Sequence, residues 1–133
     1  MALHQSGEDY LEAVLMLQKK KGMVRSVDVA QHMGVSKPSV SVAMKNLRQK
    51  NYVNVSEEGY LSLTGEGLKL ATTVYERHSV ISNWLISLGV SQEVAVEDAC
   101  RMEHVISQES FEHLKDAYNT HKEEWRGEHP FME

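Results

Sequence analysis

The fold turns on Val35-Ser36-Lys37-Pro38-Ser39-Val40-Ser41-Val42-Ala43-Met44-Lys45-Asn46-Leu47-Arg48. Ser36 is placed to cap a helix, because its hydroxyl accepts from one of the first backbone N–H groups. Pro38, just inside, has no N–H to lose there. Val40, Met44 and Leu47 recur at i, i+4 and i+7 and form a stripe for burial. Ser36, Lys37, Ser39, Ser41 and Lys45, with Pro38 among them, lie toward the helix start or off that stripe. Just upstream, Ser26 is a credible cap for a short helix Val27-Asp28-Val29-Ala30-Gln31-His32-Met33, which Gly34 stops. Two helices joined by a tight Gly-containing turn, the second with a small, polar start, make a helix-turn-helix. Serines and lysines suit a helix that enters the major groove, since they bond phosphates and base edges without bulk. A plain helical hairpin within a bundle is the alternative.

Two alternating runs follow, Tyr52-Val53-Asn54-Val55 and Tyr60-Leu61-Ser62-Leu63, around Ser56-Glu57-Glu58-Gly59. A strand-turn-strand directly after the second helix of such a motif is a wing. Upstream, Gly7 to Leu17 reads as a first helix with Tyr10, Val14 and Leu17 on one face, widened by Leu11 and Leu15, and Gly22 ends it. Glu8, Asp9 and Glu12 sit in its first turns, where the helix dipole favours negative charge. From Val35 to Asn51 the chain carries Lys37, Lys45, Arg48 and Lys50 and no acid. That local balance matters more for a nucleic-acid partner than the overall net charge of −5, because counterion release is a contact-level effect.

Thr64 is placed to cap a long helix from about Glu66 to Leu88, with Leu68, Ala71, Val74, Tyr75, Val80, Ile81, Trp84, Leu85 and Leu88 as its apolar residues. At some 23 residues it is on the order of 34 Å long, enough to link a head to a second subdomain. Gly89 breaks it. Ser91 and Glu93 start the next helix, which contains Val96-Glu97-Asp98-Ala99-Cys100-Arg101-Met102-Glu103-His104-Val105. Read as helical, that stretch puts Cys100, Glu103 and His104 on one face. A thiolate, a carboxylate and an imidazole within one turn are a transition-metal ligand set; the plainer reading is a core cysteine beside two solvated polar residues. His78, taken alone in mid-helix, is ordinarily solvated or hydrogen-bonded. Ser107 caps a last firm helix over Glu109–Tyr118, and the polar tail from Asn119, with His121, Trp125, His129 and Phe131, is expected to be weakly ordered.

The chain has 133 residues, 41% hydrophobic and 25% charged, which suits one core or two small subdomains. No apolar run approaches the roughly 18 residues of a membrane span, and the N-terminus lacks a signal-peptide core. The expected compartment is the cytoplasm. A lone cysteine cannot form an intrachain disulfide, so Cys100 is a thiol, reactive or metal-bound.

Four motifs together resemble the diphtheria toxin repressor family of metal-dependent transcriptional repressors, in a short form without its SH3-like domain. They are Glu8-Asp9-Tyr10-Leu11-Glu12, Val35-Ser36-Lys37-Pro38-Ser39-Val40-Ser41, Val74-Tyr75-Glu76-Arg77-His78 and Ala99-Cys100-Arg101-Met102-Glu103-His104-Val105. The resemblance implies a mainly α chain with an N-terminal winged helix-turn-helix (1–64), followed by an α-helical metal-binding and dimerisation domain (65–133, of which 65–88 is the linking helix). It adds Asp9, Glu12 and His78 to Cys100, Glu103 and His104 as metal ligands. Cys100 matches the family's iron branch, whereas Asp9 and Glu12 match its manganese branch, so the implied effector is Mn(II) or Fe(II). Ser82 and Val96 stand where the iron branch's ancillary site has ligands, so that site is expected to be absent or rebuilt. The expected partners are double-stranded operator DNA and a second copy of the chain, with no membrane and no small-molecule substrate. Trp84, Leu85, Leu88, Met102, Val105 and Ile106, with Phe111 and Leu114, offer more apolar surface than one short helical layer can bury, and part of it is expected at the dimer interface. Metal-uptake genes are the implied targets. Two other classes fit less well. A metalloenzyme lacks a further acid–base pair, and a winged-helix regulator with a structural metal or a different effector would bind DNA independently of added metal.

Overall fold

The computed structural model describes residues 5–128, with side chains from 6 to 121. The chain runs α1 (Gln5–Lys21), β1 (Val24–Arg25), α2 (Ser26–Met33), α3 (Lys37–Gln49), β2 (Val53–Val55), β3 (Tyr60–Leu63), α4 (Gly65–Ser87), α5 (Gln92–Met102) and α6 (Gln108–Glu128). It divides into two compact units, one ending at Thr73 and the other beginning at Val74. No helix among the described residues is long and apolar enough to cross a membrane.

In the first unit α1, α2 and α3 pack on one another and α1 and α3 also meet the sheet. Leu11 and Val14 from α1, Val29 from α2, Val40 from α3 and Val24 and Val53 from the sheet are fully buried. Tyr10, Leu15 and Leu17 of the expected α1 stripe are buried as well. Gly22 follows α1 with φ +84°, a left-handed conformation that most residues resist. Ser36 caps α3 as expected, its hydroxyl accepting from the Ser39 N–H at 3.2 Å. Val40, Met44 and Leu47 are the helix's buried residues.

The cap of α2 is Arg25, not Ser26, which is already helical. The Asp28 carboxylate does the capping work in reverse, accepting from the Arg25 N–H at 2.8 Å and from Lys21 Nζ at 2.8 Å. The Lys21 hydrogen bond, and then the one from the Arg25 backbone, hold the Asp28 carboxyl below its usual range. The sheet, moreover, has three strands in the order β1-β3-β2, all antiparallel. The wing hairpin is the predicted one, with Val53 opposite Leu63 and Val55 opposite Leu61. The unforeseen β1 puts Val24 opposite Leu61 and Arg25 opposite Tyr60. The Arg25 guanidinium lies 4.2 Å from the Tyr60 ring centroid, a cation–π contact.

Thr64 caps α4, accepting from the Gly67 N–H at 3.0 Å and donating to the Asn51 carbonyl at 2.7 Å. Gly67 is there for want of space: a Cβ on it would stand 1.9 Å from the Tyr52 carbonyl oxygen. Leu68, one of the apolar residues of α4, is about half exposed.

The second unit has a core of Val80, Ile81, Ala99, Phe111 and Tyr118, with Trp84, Leu85, Met102, Ile106 and Leu114 packed against it. Gly89, at φ +106°, follows α4. Ser91 caps α5, accepting from the Val94 N–H at 3.4 Å, and Ser107 caps α6, accepting from the Ser110 N–H at 3.0 Å. A 2.8 Å ion pair joins Lys115 to Glu76. The final helix does not stop near Tyr118 but runs to Glu128. His129 and Phe131 lie outside the described residues, as does the side chain of Trp125.

Candidate metal centre and DNA-facing helix

The helix expected to carry Cys100, Glu103 and His104 together ends at Met102. Glu103 is its C-cap and keeps helical angles (φ −61°, ψ −21°), its N–H still donating to the Ala99 carbonyl at 2.9 Å. The chain then tightens into a turn in which the His104 and Val105 N–H groups reach back only three residues, to Arg101 and Met102. So Cys100 is helical while His104 stands in the α5–α6 turn.

Within the second unit this geometry gathers His78 and His104 around Glu103. Glu103 is 1% exposed. Its Oε2 is 3.0 Å from His78 Nδ1. A carboxylate only accepts, so the proton of this contact is assigned to Nδ1, and in a neutral ring the lone pair is on Nε2. Oε1 lies 3.3 Å from His104 Nε2 without the alignment of a hydrogen bond, and among the described residues it has no hydrogen-bond partner. A buried carboxylate oxygen without a donor costs roughly 1–3 kcal/mol or more, since the group is charged. A divalent cation would satisfy it. Imidazole, carboxylate and the half-buried thiol of Cys100 are together a donor set for first-row transition metals, so the residues present fit such an ion.

Arg77, quoted in a motif but given no role by the sequence, holds the turn. Its Nη1 donates to the carbonyls of Ile106 at 2.8 Å and Glu103 at 3.3 Å. Nη2 donates to the Gln108 side-chain oxygen at 2.7 Å. The guanidinium also faces the Phe111 ring at 5.4 Å. The fixed fork of an arginine, adjacent to His78 in sequence, thus pins the segment that carries Glu103 and His104. An arginine beside the candidate ligand His78, in the quoted motif Val74-Tyr75-Glu76-Arg77-His78, is the one signal the sequence offers for it.

Ser82 is buried, and its hydroxyl donates to the His78 carbonyl at 2.7 Å. Where the iron branch would have an acid, this chain has a hydroxyl satisfied by its own helix. Val96 is 40% exposed. Of the apolar residues expected at an interface, Trp84, Leu85, Met102 and Ile106 pack on the core and stay half-buried, whereas Leu88 and Val105 are exposed.

In the first unit, Asp9 and Glu12 lie three residues apart on α1, both half-buried, and this spacing puts them on one face. Ser36, Lys37, Pro38, Ser39, Ser41 and Lys45 are all exposed, opposite or beside the buried stripe of α3. The Ser36 and Ser39 hydroxyls are 2.8 Å apart.

The first unit is a winged helix-turn-helix of DNA-binding type, and the second carries a carboxylate–imidazole cluster suited to a transition metal. That combination defines a metal-responsive transcriptional regulator. Residues 2–61 match the model "Iron dependent repressor, N-terminal DNA binding domain", and residues 64–129 match "Iron dependent repressor, metal binding and dimerisation domain". The chain is 39% identical over 105 residues to the transcriptional regulator MntR of Escherichia coli O157:H7, covering 79% of this chain and 68% of that protein. It is 31% identical over 111 residues to the HTH-type transcriptional regulator MntR of Bacillus subtilis (strain 168), covering 84% and 78%. The solved structure of the manganese regulator SloR superimposes with a TM-score of 0.76 at 29% identity, over 85% of this chain and 53% of that one. The chain therefore spans about half the length of that solved relative. It belongs to the iron-dependent repressor family of metal-dependent transcriptional repressors.

Proposed function

We propose that this chain is a homodimeric repressor that binds operator DNA when a divalent metal, Mn(II) or Fe(II), is held by Asp9, Glu12, His78, Cys100, Glu103 and His104. The observation that carries the reading is Glu103, a fully buried carboxylate set between two histidines with one oxygen unsatisfied. When bound, the ion supplies positive charge that neutralises the carboxylates. Asp9 and Glu12 belong to the DNA-binding unit and the other four to the second unit, so one shared ligand shell favours one placement of the heads. Without it, the carboxylates repel one another and the heads sample a broader ensemble. Two recognition helices are then held at the separation of successive major grooves, about 34 Å.

The α3 face of Ser36, Lys37, Pro38, Ser39, Ser41 and Lys45 contacts the DNA. Trp84, Leu85, Leu88, Met102, Val105 and Ile106 supply the interface with a second copy. The exposure of Leu88 (65%) and Val105 (81%) supports this, because large apolar groups on a surface gain from burial in a partner. A DNA target places the protein in the cytoplasm, and genes of metal homeostasis are its targets. The names of the manganese-regulator relatives support Mn(II), whereas the Cys100 thiol supports Fe(II).

The test is a fluorescence-anisotropy titration of metal-free protein against its own upstream DNA, repeated with Mn(II) and, anaerobically, with Fe(II). Tightening of more than about tenfold by one metal, or roughly 1.4 kcal/mol of coupling, establishes the switch and names its effector. Equally tight binding without metal refutes it.

A further inference from the structure

Val42 stands out on α3. It is two residues from both Val40 and Met44, about 200° of helical turn from each, so it points away from the core that they fill. It is 62% exposed, the only large apolar side chain of that helix so placed among the described residues. Around it are Ser39, Lys45 and Asn46, all exposed, and no acid lies between Val35 and Asn51. An isopropyl group on a basic, polar helix face gains nothing from solvent and binds no phosphate. In the major groove, however, one feature of DNA is apolar: the thymine C5-methyl.

We infer that Val42 is a specificity-determining residue that reads a thymine methyl in the major groove. The inference rests on the repressor reading above and deepens it. Lys37, Lys45 and Arg48 bring the helix to the backbone without regard to sequence. Val42 lies in the first half of α3, the part of a recognition helix that reaches base edges. A methyl-to-methyl contact excludes water from both groups. It discriminates thymine from cytosine, which presents an amino donor and no methyl there.

The experiment separates this contact from DNA binding in general. The metal-loaded full-length protein selects duplexes from a random-sequence pool. Each thymine of the selected site is then replaced singly by deoxyuridine, which lacks only the methyl, and affinities are measured for wild type and Val42→Ala. At one thymine per half-site the replacement should weaken wild type about fourfold, the worth of one buried methyl. At the same thymine it should weaken Val42→Ala less than about 1.5-fold. Elsewhere the two proteins should respond alike. Lys45→Ala, by contrast, should weaken every duplex evenly and leave the deoxyuridine profile of wild type intact. An enriched site with the same deoxyuridine profile in wild type and Val42→Ala overturns this inference alone. A pool from which nothing is enriched overturns it together with the repressor reading.

Discussion

Replacing Glu103 by Gln should have opposite consequences with and without metal. In the metal-free protein, Glu103 is a carboxylate with no solvent contact, one hydrogen bond from His78 at 3.0 Å and an oxygen left without a donor. Glutamine has nearly the same volume. Its carbonyl oxygen can still accept from His78 Nδ1, and its amide can donate toward His104 Nε2, 3.3 Å from the present Oε1. The unsatisfied acceptor, about 1–3 kcal/mol, is thereby removed together with the desolvated charge. The metal-free variant should thus match wild type or exceed it by up to about 2 kcal/mol. At a free metal concentration of 100 Kd, binding adds about 2.7 kcal/mol to the wild type. For a chain of this size that is a rise in Tm on the order of 10 °C. Glutamine offers no anionic ligand, so the same metal concentration should move the variant by less than about 2 °C. Urea and thermal unfolding, followed by circular dichroism and by the fluorescence of Trp84 in the second core, measure both arms. The reasoning is refuted if the metal-free variant loses about 3 kcal/mol while its metal response survives. Glu103 would then be the partner in a structural buried pair with His78, of the kind whose disruption costs about that much.

Arg77→Met should destabilise the second unit by roughly 3 kcal/mol, because the carbonyls of Glu103 and Ile106 lose a charged donor. Arg77→Lys should recover only part of this, since an ammonium cannot reproduce the fork, and hydrogen exchange should quicken at His104–Ser107 in both. Gly67→Ala should cost about 3 kcal/mol or more in the first unit, because a Cβ 1.9 Å from the Tyr52 carbonyl oxygen forces backbone to move; its urea midpoint checks this. Asp28→Ala should lose about 1 kcal/mol near neutral pH by removing the tie to the Arg25 N–H and Lys21. The folded carboxyl titrates below its ordinary value of 3.8, so that stabilisation is present above pH 3.8 and disappears as the pH falls through the lower folded value. The gap between Asp28→Ala and wild type in urea titrations should therefore close in acid, and a gap that stays constant would show that the carboxylate's charge contributes nothing.

What could be read from the chain was what short-range periodicity and capping chemistry encode. The Ser36 cap, the Val40-Met44-Leu47 stripe, the wing hairpin, the Thr64 cap and the Gly89 break each depend on residues within a few positions of one another. Strand β1 escaped because two residues carry no alternation, and its partner, β3, is 37 positions away by the Val24–Leu61 register. Arg25 rather than Ser26 caps α2 for a related reason. The deciding group is not the cap's own side chain but the Asp28 carboxylate reaching back to it. The end of α6 was missed because a polar sequence can be helical without an apolar stripe to announce it. The cluster around Glu103 combines both kinds of signal. The i, i+3, i+4 spacing put Cys100, Glu103 and His104 on one helix, yet that helix stops at Met102. Arg77 shapes the segment after it, gathering two carbonyls of the turn into one guanidinium fork. Spacing along one helix could propose the ligand types; their placement depends on a residue of another helix, 26 positions from Glu103. A local code names donors, and a non-local cation sets the turn that presents them.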